Sequence, residues 1–115
     1  MLQLESAKDK STYIITLTFF DETGVAINPT SIIWSLFDGG GNVVNLKSDI
    51  HASSNNGMVV VVLQGDDLDP GTTNLSRKRR FAVSALYDAS INNELFTELP
   101  LNDEIEFLIE DLPGI

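Results

Sequence analysis

Apolar and polar residues alternate with a two-residue period along most of this chain, and no segment keeps a helical apolar period over three turns. Residues 11–20, S-T-Y-I-I-T-L-T-F-F, are rich in β-branched and aromatic side chains, and Tyr13, Ile15, Leu17 and Phe19 share one parity, which predicts a strand with an inner face. Asp21-Glu22-Thr23-Gly24 supplies turn chemistry, and Asn28-Pro29 bends the chain again. A second strand is predicted over residues 31–38, with Ile32, Trp34 and Leu36 on one face. Gly39-Gly40-Gly41-Asn42 then offers the positive-φ positions of a tight hairpin that returns through Val43-Val44. After a polar, loop-like stretch at 46–57, the apolar run from Met58 to Leu63 predicts a third strand. A turn cluster at 65–71 leads to Arg77, Lys78, Arg79 and Arg80, and then to a strand in which Phe81, Val83, Ala85 and Tyr87 share one parity. Residues 88–93 read as a turn. The chain closes on a strand with Ile105, Phe107 and Ile109 inward and Glu104, Glu106 and Glu110 outward. About six to eight short strands without a long helix predict an antiparallel β-sandwich, with Trp34 its largest core contributor.

One feature departs from a two-layer domain with solvated outer faces. Residues 58–63 are apolar on both parities, and Ile14, Ile33, Phe37, Leu86 and Leu108 fall on the nominally outer parity. Either valine is simply tolerating exposed strands among ordinary scattered surface apolars, or these side chains belong to a subunit interface.

The 115 residues fit one domain, 1–115, with 1–9 an extended N-terminal arm. A hydrophobic content of 43% excludes a disordered polyelectrolyte, and no apolar run is long enough to span a bilayer. No export signal is expected, because charges interrupt the first ten residues where an apolar h-region is needed. The absence of cysteine removes disulfides, thiol nucleophiles and thiolate metal sites together. The net charge of −10 disfavours nucleic acid and anionic lipid as partners.

Candidate chemistry is sparse. Asp49, His51 and Ser53 contain the residue types of a triad, but in one loop-like stretch with no nucleophile elbow, so no catalytic residue is assigned. Asp66, Asp67 and Asp69 offer oxygen ligands suited to Ca²⁺ without the spacing of a calcium loop, and they read as a turn; no metal or cofactor is expected. The three glycines at 39–41 lack the Lys-Ser/Thr of a phosphate loop. Arg77, Lys78, Arg79 and Arg80 hold four of the seven basic residues. They rank first as gatekeepers against edge-to-edge aggregation, then as a dock for an acidic surface such as another copy of this chain, and last as a nucleic-acid contact.

The succession K-S-T-Y-I-I-T-L-T-F-F-D-E-T-G at 10–24, followed by N-P-T-S-I-I-W-S-L-F-D-G-G-G-N-V-V-N at 28–45, resembles small immunoglobulin-like domains of tailed-phage virion structural proteins. R-R-F-A-V-S-A-L-Y-D at 79–88 and the closing strand at 103–112 resemble the later strands of that module. The resemblance spans about nine-tenths of the chain and rests on fold-level motifs. Trp34 matches the strand-centre Trp, whereas the cysteine pair of antibody domains is absent and Tyr87 stands at a strand end, so no tyrosine corner is assigned. The resemblance implies an all-β, immunoglobulin-like antiparallel β-sandwich of about seven strands. It further implies a non-enzymatic virion protein made in the host cytoplasm: a capsid decoration or cement subunit, homo-oligomeric, bound to the major capsid protein or other virion subunits. A tail or head–tail junction component and a carbohydrate- or host-surface-binding module are the alternatives. The contact residues expected are Arg77, Lys78, Arg79, Arg80, Ile14, Ile33, Phe37 and Leu108.

Overall fold

Alternation along the chain becomes nine strands in the computed structural model, which describes residues 2–3, 6–8, 10–20, 24–55 and 57–110. These are β1 (Leu2–Gln3), β2 (Ala7–Lys8), β3 (Thr12–Phe20), β4 (Ala26–Ile27), β5 (Ser31–Asp38), β6 (Ile50–Ala52), β7 (Met58–Gln64), β8 (Lys78–Ile91) and β9 (Glu94–Glu110). Among the described residues the helical segments are single 3-10 turns at Gly65–Leu68 and Leu75–Arg77. The predicted inner parities are the buried ones: Ile15 and Phe19 on β3, Ile32, Trp34 and Leu36 on β5, Phe81, Val83 and Ala85 on β8, Ile105, Phe107 and Ile109 on β9.

The larger sheet has the order β1-β9-β8-β5-β6, with β2 also lying against β9. The smaller has the order β4-β3-β7. Pairing is antiparallel throughout except where β1 and β2 meet β9 in parallel. Tyr13 of the smaller sheet stacks on Phe107 of the larger, ring centroids 4.5 Å apart, and Trp34 meets Phe81 at 5.3 Å. Each aromatic contact of this kind contributes about 0.5–1.5 kcal/mol beyond the area it buries. The molecule is therefore an all-β sandwich whose core lies between the two sheets.

Two segments, within 46–57 and at 88–93, differ from expectation, whereas the described residues of the N-terminal stretch lie extended along β9: Ala7 is buried opposite Ile109, and Lys8 Nζ lies 2.6 Å from Glu110 Oε2. Residues 1, 4, 5 and 9 of that stretch, 21–23 of the predicted turn and 111–112 of the closing strand lie outside the described residues. Within the polar stretch at 46–57 sits β6, which places half-buried Ile50 and Ala52 opposite Trp34 and Ile32.

The largest difference is at residues 88–93. Strand β8 runs on to Ile91 and β9 begins at Glu94, joined by Asn92 and Asn93 at φ 53° and 65°, the positive values a two-residue hairpin turn demands. At about 3.3 Å per residue, β9 alone spans about 56 Å. That length accounts for the molecular extents of 59 × 23 × 21 Å and for a radius of gyration of 16.0 Å, against about 13 Å for a compact chain of this size.

Candidate functional site

The basic cluster is not one surface, because strand alternation divides it. Arg79 has the parity of Phe81 and points inward, 3% exposed, at the end of the core. Its guanidinium donates to four backbone carbonyls: Nε to Asp67 at 2.9 Å, Nη2 to Asp69 at 2.6 Å, and Nη1 to Ser76 at 2.6 Å and Lys78 at 3.0 Å. Burial pulls this guanidinium below its ordinary pKa, against Asp38, Asp69 and Asp67, which push it back. Arg79 is thus a strut that holds the 65–77 segment on the sheet, and its expected role as a contact residue is corrected. The inward parity of Phe81, two residues on, was the signal available in the sequence.

The other three cations stay near the surface at this base of the β8–β9 hairpin. Lys78 is exposed opposite Leu108, which is 40% exposed, and the half-buried Arg77 joins them around a shallow groove with Ser6, Asn74, Ile109 and Glu110. Arg80 stacks over half-buried Phe37 with Cζ 4.9 Å from the ring centroid, and Glu106 stands opposite it across the ladder. Ile33 lies on the same outer face, further along β5. Ile14, 61% exposed, is on the opposite side of the molecule. There it joins Phe20, Met58, Val60 and Val62, all 47–61% exposed, in an apolar outer face on the smaller sheet. The double-parity apolar run at 58–63 is therefore real exposure and not a core buried on both sides.

The neighbouring loops are internally committed. Asp38 Oδ1 accepts from the Gly40 amide at 2.8 Å and the Asn42 amide at 3.0 Å, and the Gly41 amide donates to the Asp38 carbonyl at 3.1 Å. The Asn42 amide foremost, with the Gly40 amide, holds the Asp38 carboxyl below the usual carboxylate range. Of the three glycines only Gly41 needs positive φ, at 84°; Gly39 is required by close approach, since a Cβ there would stand 2.7 Å from the Leu75 carbonyl oxygen. The turn's amides are taken by the Asp38 carboxylate and by the Asp38 and Leu75 carbonyls, so it is no anion cradle. In the 66–69 turn, Asp67 is buried and accepts from Asn45 Nδ2 and the Gln64 amide, while the Asp67 and Asp69 carbonyls serve Arg79. Among the described residues no group of three His, Cys, Asp or Glu side chains could hold a metal ion. His51 is an exposed residue of β6 opposite Ile33.

Sequence reasoning missed the distal arm. Strand β5 leaves β8 after Leu86 and β1 pairs with β9 at Ile105 and Glu106, so among the described residues the strands of 87–99 pair only with each other. Pro100 fits there because β9 has become an edge, where a missing N–H breaks no ladder. Across the arm, Tyr87 pairs with Leu99 and Ala89 with Phe96, so Asp88 faces two residues, Thr97 and Glu98, in a β-bulge. Glu98 takes φ 54°, and its amide donates to Asp88 Oδ1 at 3.0 Å. Without the bulge Phe96 would sit opposite Ser90 on the other face. Leu101 still packs against the core beside Leu17 and Phe19, and with the bulge Leu99, Tyr87, Phe96 and Ile91 continue the same side of the ladder beyond it. Phe96 and Ile91 are 38% and 37% exposed, and Leu95 on the reverse face is 69% exposed.

No protein-family model matches this chain, and no curated protein matches it.

Proposed function

We propose that the chain is a non-enzymatic structural subunit that works through protein–protein contacts, and that its setting is a virion, where it decorates or cements the capsid by binding the major capsid protein. The observation that supports this most is the arm: a ladder that keeps its core-facing parity for several residues with nothing among the described residues packed on it. A two-stranded ribbon is marginal in water unless its apolar side is covered. The apolar outer face around Ile14 and Val62 supplies a second contact area on the opposite side of the sandwich. Together such surfaces serve a shell by adding buried area between neighbours, on the scale of about 800 Å² per partner for a specific interface. The likeness to immunoglobulin-like virion modules agrees with this. The 59 Å length favours, as a second reading, a tail or head–tail junction component in which copies contact one another.

The test is binding of the purified chain to empty shells, with particle proteomics alongside. Retention on shells and presence in purified particles are the expected results; absence from particles together with failure to bind shells contradicts the capsid reading.

A further inference from the structure

The two ends of the long axis differ in chemistry. No Lys, Arg or His follows Arg80 in the chain, so the arm carries Asp88, Glu94 and Glu98 without a cation and presents Ile91, Leu95 and Phe96 among them. At the other end, Arg77 and Lys78 border the groove over Leu108, with Leu75 54% exposed nearby. Neither cation makes an ion pair among the described residues, and Glu110, the acid lining that groove, is taken by Lys8. One end is apolar and acidic; at the other, two cations without an ion pair border an apolar groove, with the acids of the 66–69 turn held beside Arg79, and about 44 Å of β8 separates the two ends.

We infer that the arm tip of one copy docks in the Arg77–Lys78–Leu108 groove of a second copy, head to tail. This deepens the assembly reading proposed above and rests on it. The contact is heterologous, so each copy offers one tip and one base, and the chain of contacts closes into a ring or runs on as a filament according to its angle. A hairpin end of this size buries less than a standard interface, so a single contact is weak, and charge sets its register and its salt sensitivity.

The experiment is sedimentation velocity over a concentration series at low and high salt. The wild-type chain is expected to exceed 12.6 kDa in weight-average mass as concentration rises, and to fall back towards it in high salt. The tip variant Glu94→Lys/Glu98→Lys and the base variant Arg77→Glu/Lys78→Glu are each expected to associate at least about tenfold more weakly alone. Mixed together they regain association, because the reversed tip of one meets the reversed base of the other. That recovery also shows that both variants are folded. A wild-type chain that stays monomeric throughout overturns the inference, and so does association that survives both reversals. So does loss of association on Val60→Lys with the tip and base variants unaffected, which places the contact on the smaller sheet. Shell binding by a monomer insensitive to the reversals sinks this contact and leaves the capsid reading standing; self-association without shell binding does the opposite.

Discussion

The β8–β9 ladder is one continuous hairpin with two halves of opposite character. Below Leu86 it is the middle of a sandwich: Phe81 and Phe107 are fully buried, Trp34 and Tyr13 pack on them, and β5 and the N-terminal strands flank it. Above Tyr87 the same face, in the same parity, meets no other strand among the described residues. The contrast teaches that backbone pairing alone carries a strand past the point where side-chain burial stops supporting it. In the proposed assembly this is the face that a partner buries. Its bulge at Asp88 keeps Phe96 on the face that needs covering.

Substitution separates the halves most sharply. Phe81→Ala is expected to cost about 3–5 kcal/mol in urea unfolding, from lost transfer energy and the cavity left against Trp34. Phe96→Ala, the same chemistry on the arm, is expected to cost less than about 1 kcal/mol. Equal losses at the two positions would break the comparison and make the arm part of the core.

Next in size is the strut. Arg79→Met leaves carbonyls of Asp67, Asp69, Ser76 and Lys78 without their donor. The expected loss is about 2–4 kcal/mol by thermal or chemical unfolding, since buried unsatisfied acceptors cost about 1–3 kcal/mol each and some regain water. Arg79→Lys should recover only part, because an ammonium cannot reproduce the planar fork. A neutral Arg79→Met would return the residue to the surface cluster and weaken the division of the basic run by parity.

Smaller still is the capped glycine turn. Asp38→Ala is expected to lose about 1 kcal/mol at neutral pH. Because the folded-state pKa of Asp38 is depressed, its contribution is present above the ordinary carboxylate value and disappears as pH falls through the folded value. The difference between wild type and variant should therefore shrink on acidification. A difference that persists unchanged in strong acid would show that the carboxylate is not what holds this turn.

The sandwich was legible because alternation is local: Ile32, Trp34 and Leu36, or Ile105, Phe107 and Ile109, declare their inner face without reference to a partner. What was illegible depended on partners distant in sequence. Residues 88–91 include Asp and Ser, poor strand formers, and become strand only because 94–99 pair with them, while Asn92 and Asn93 make the turn. The three residues of β6 are held by β5, and the parallel docking of β1 and β2 on β9 joins opposite ends of the chain. Of the expected contact residues, Lys78, Arg80, Phe37 and Leu108 come together on one outer face with Arg77 beside them. Ile33 is further along that face, Ile14 is across the molecule and Arg79 is inside. The three glycines were readable as a turn, but only one of them through its φ angle.

The claim on which the account turns is that the arm belongs to assembly and not to the fold. Replacing residues 88–98 by Asn-Gly joins Tyr87 to Leu99 in a two-residue turn and removes Phe96, Leu95 and Ile91. Sedimentation and urea unfolding of this shortened chain alongside the wild type read both properties at once. The account predicts an unfolding free energy within about 1 kcal/mol of wild type and loss of self-association. A shortened chain that unfolds several kcal/mol more easily, or that associates as well as the intact one, contradicts it.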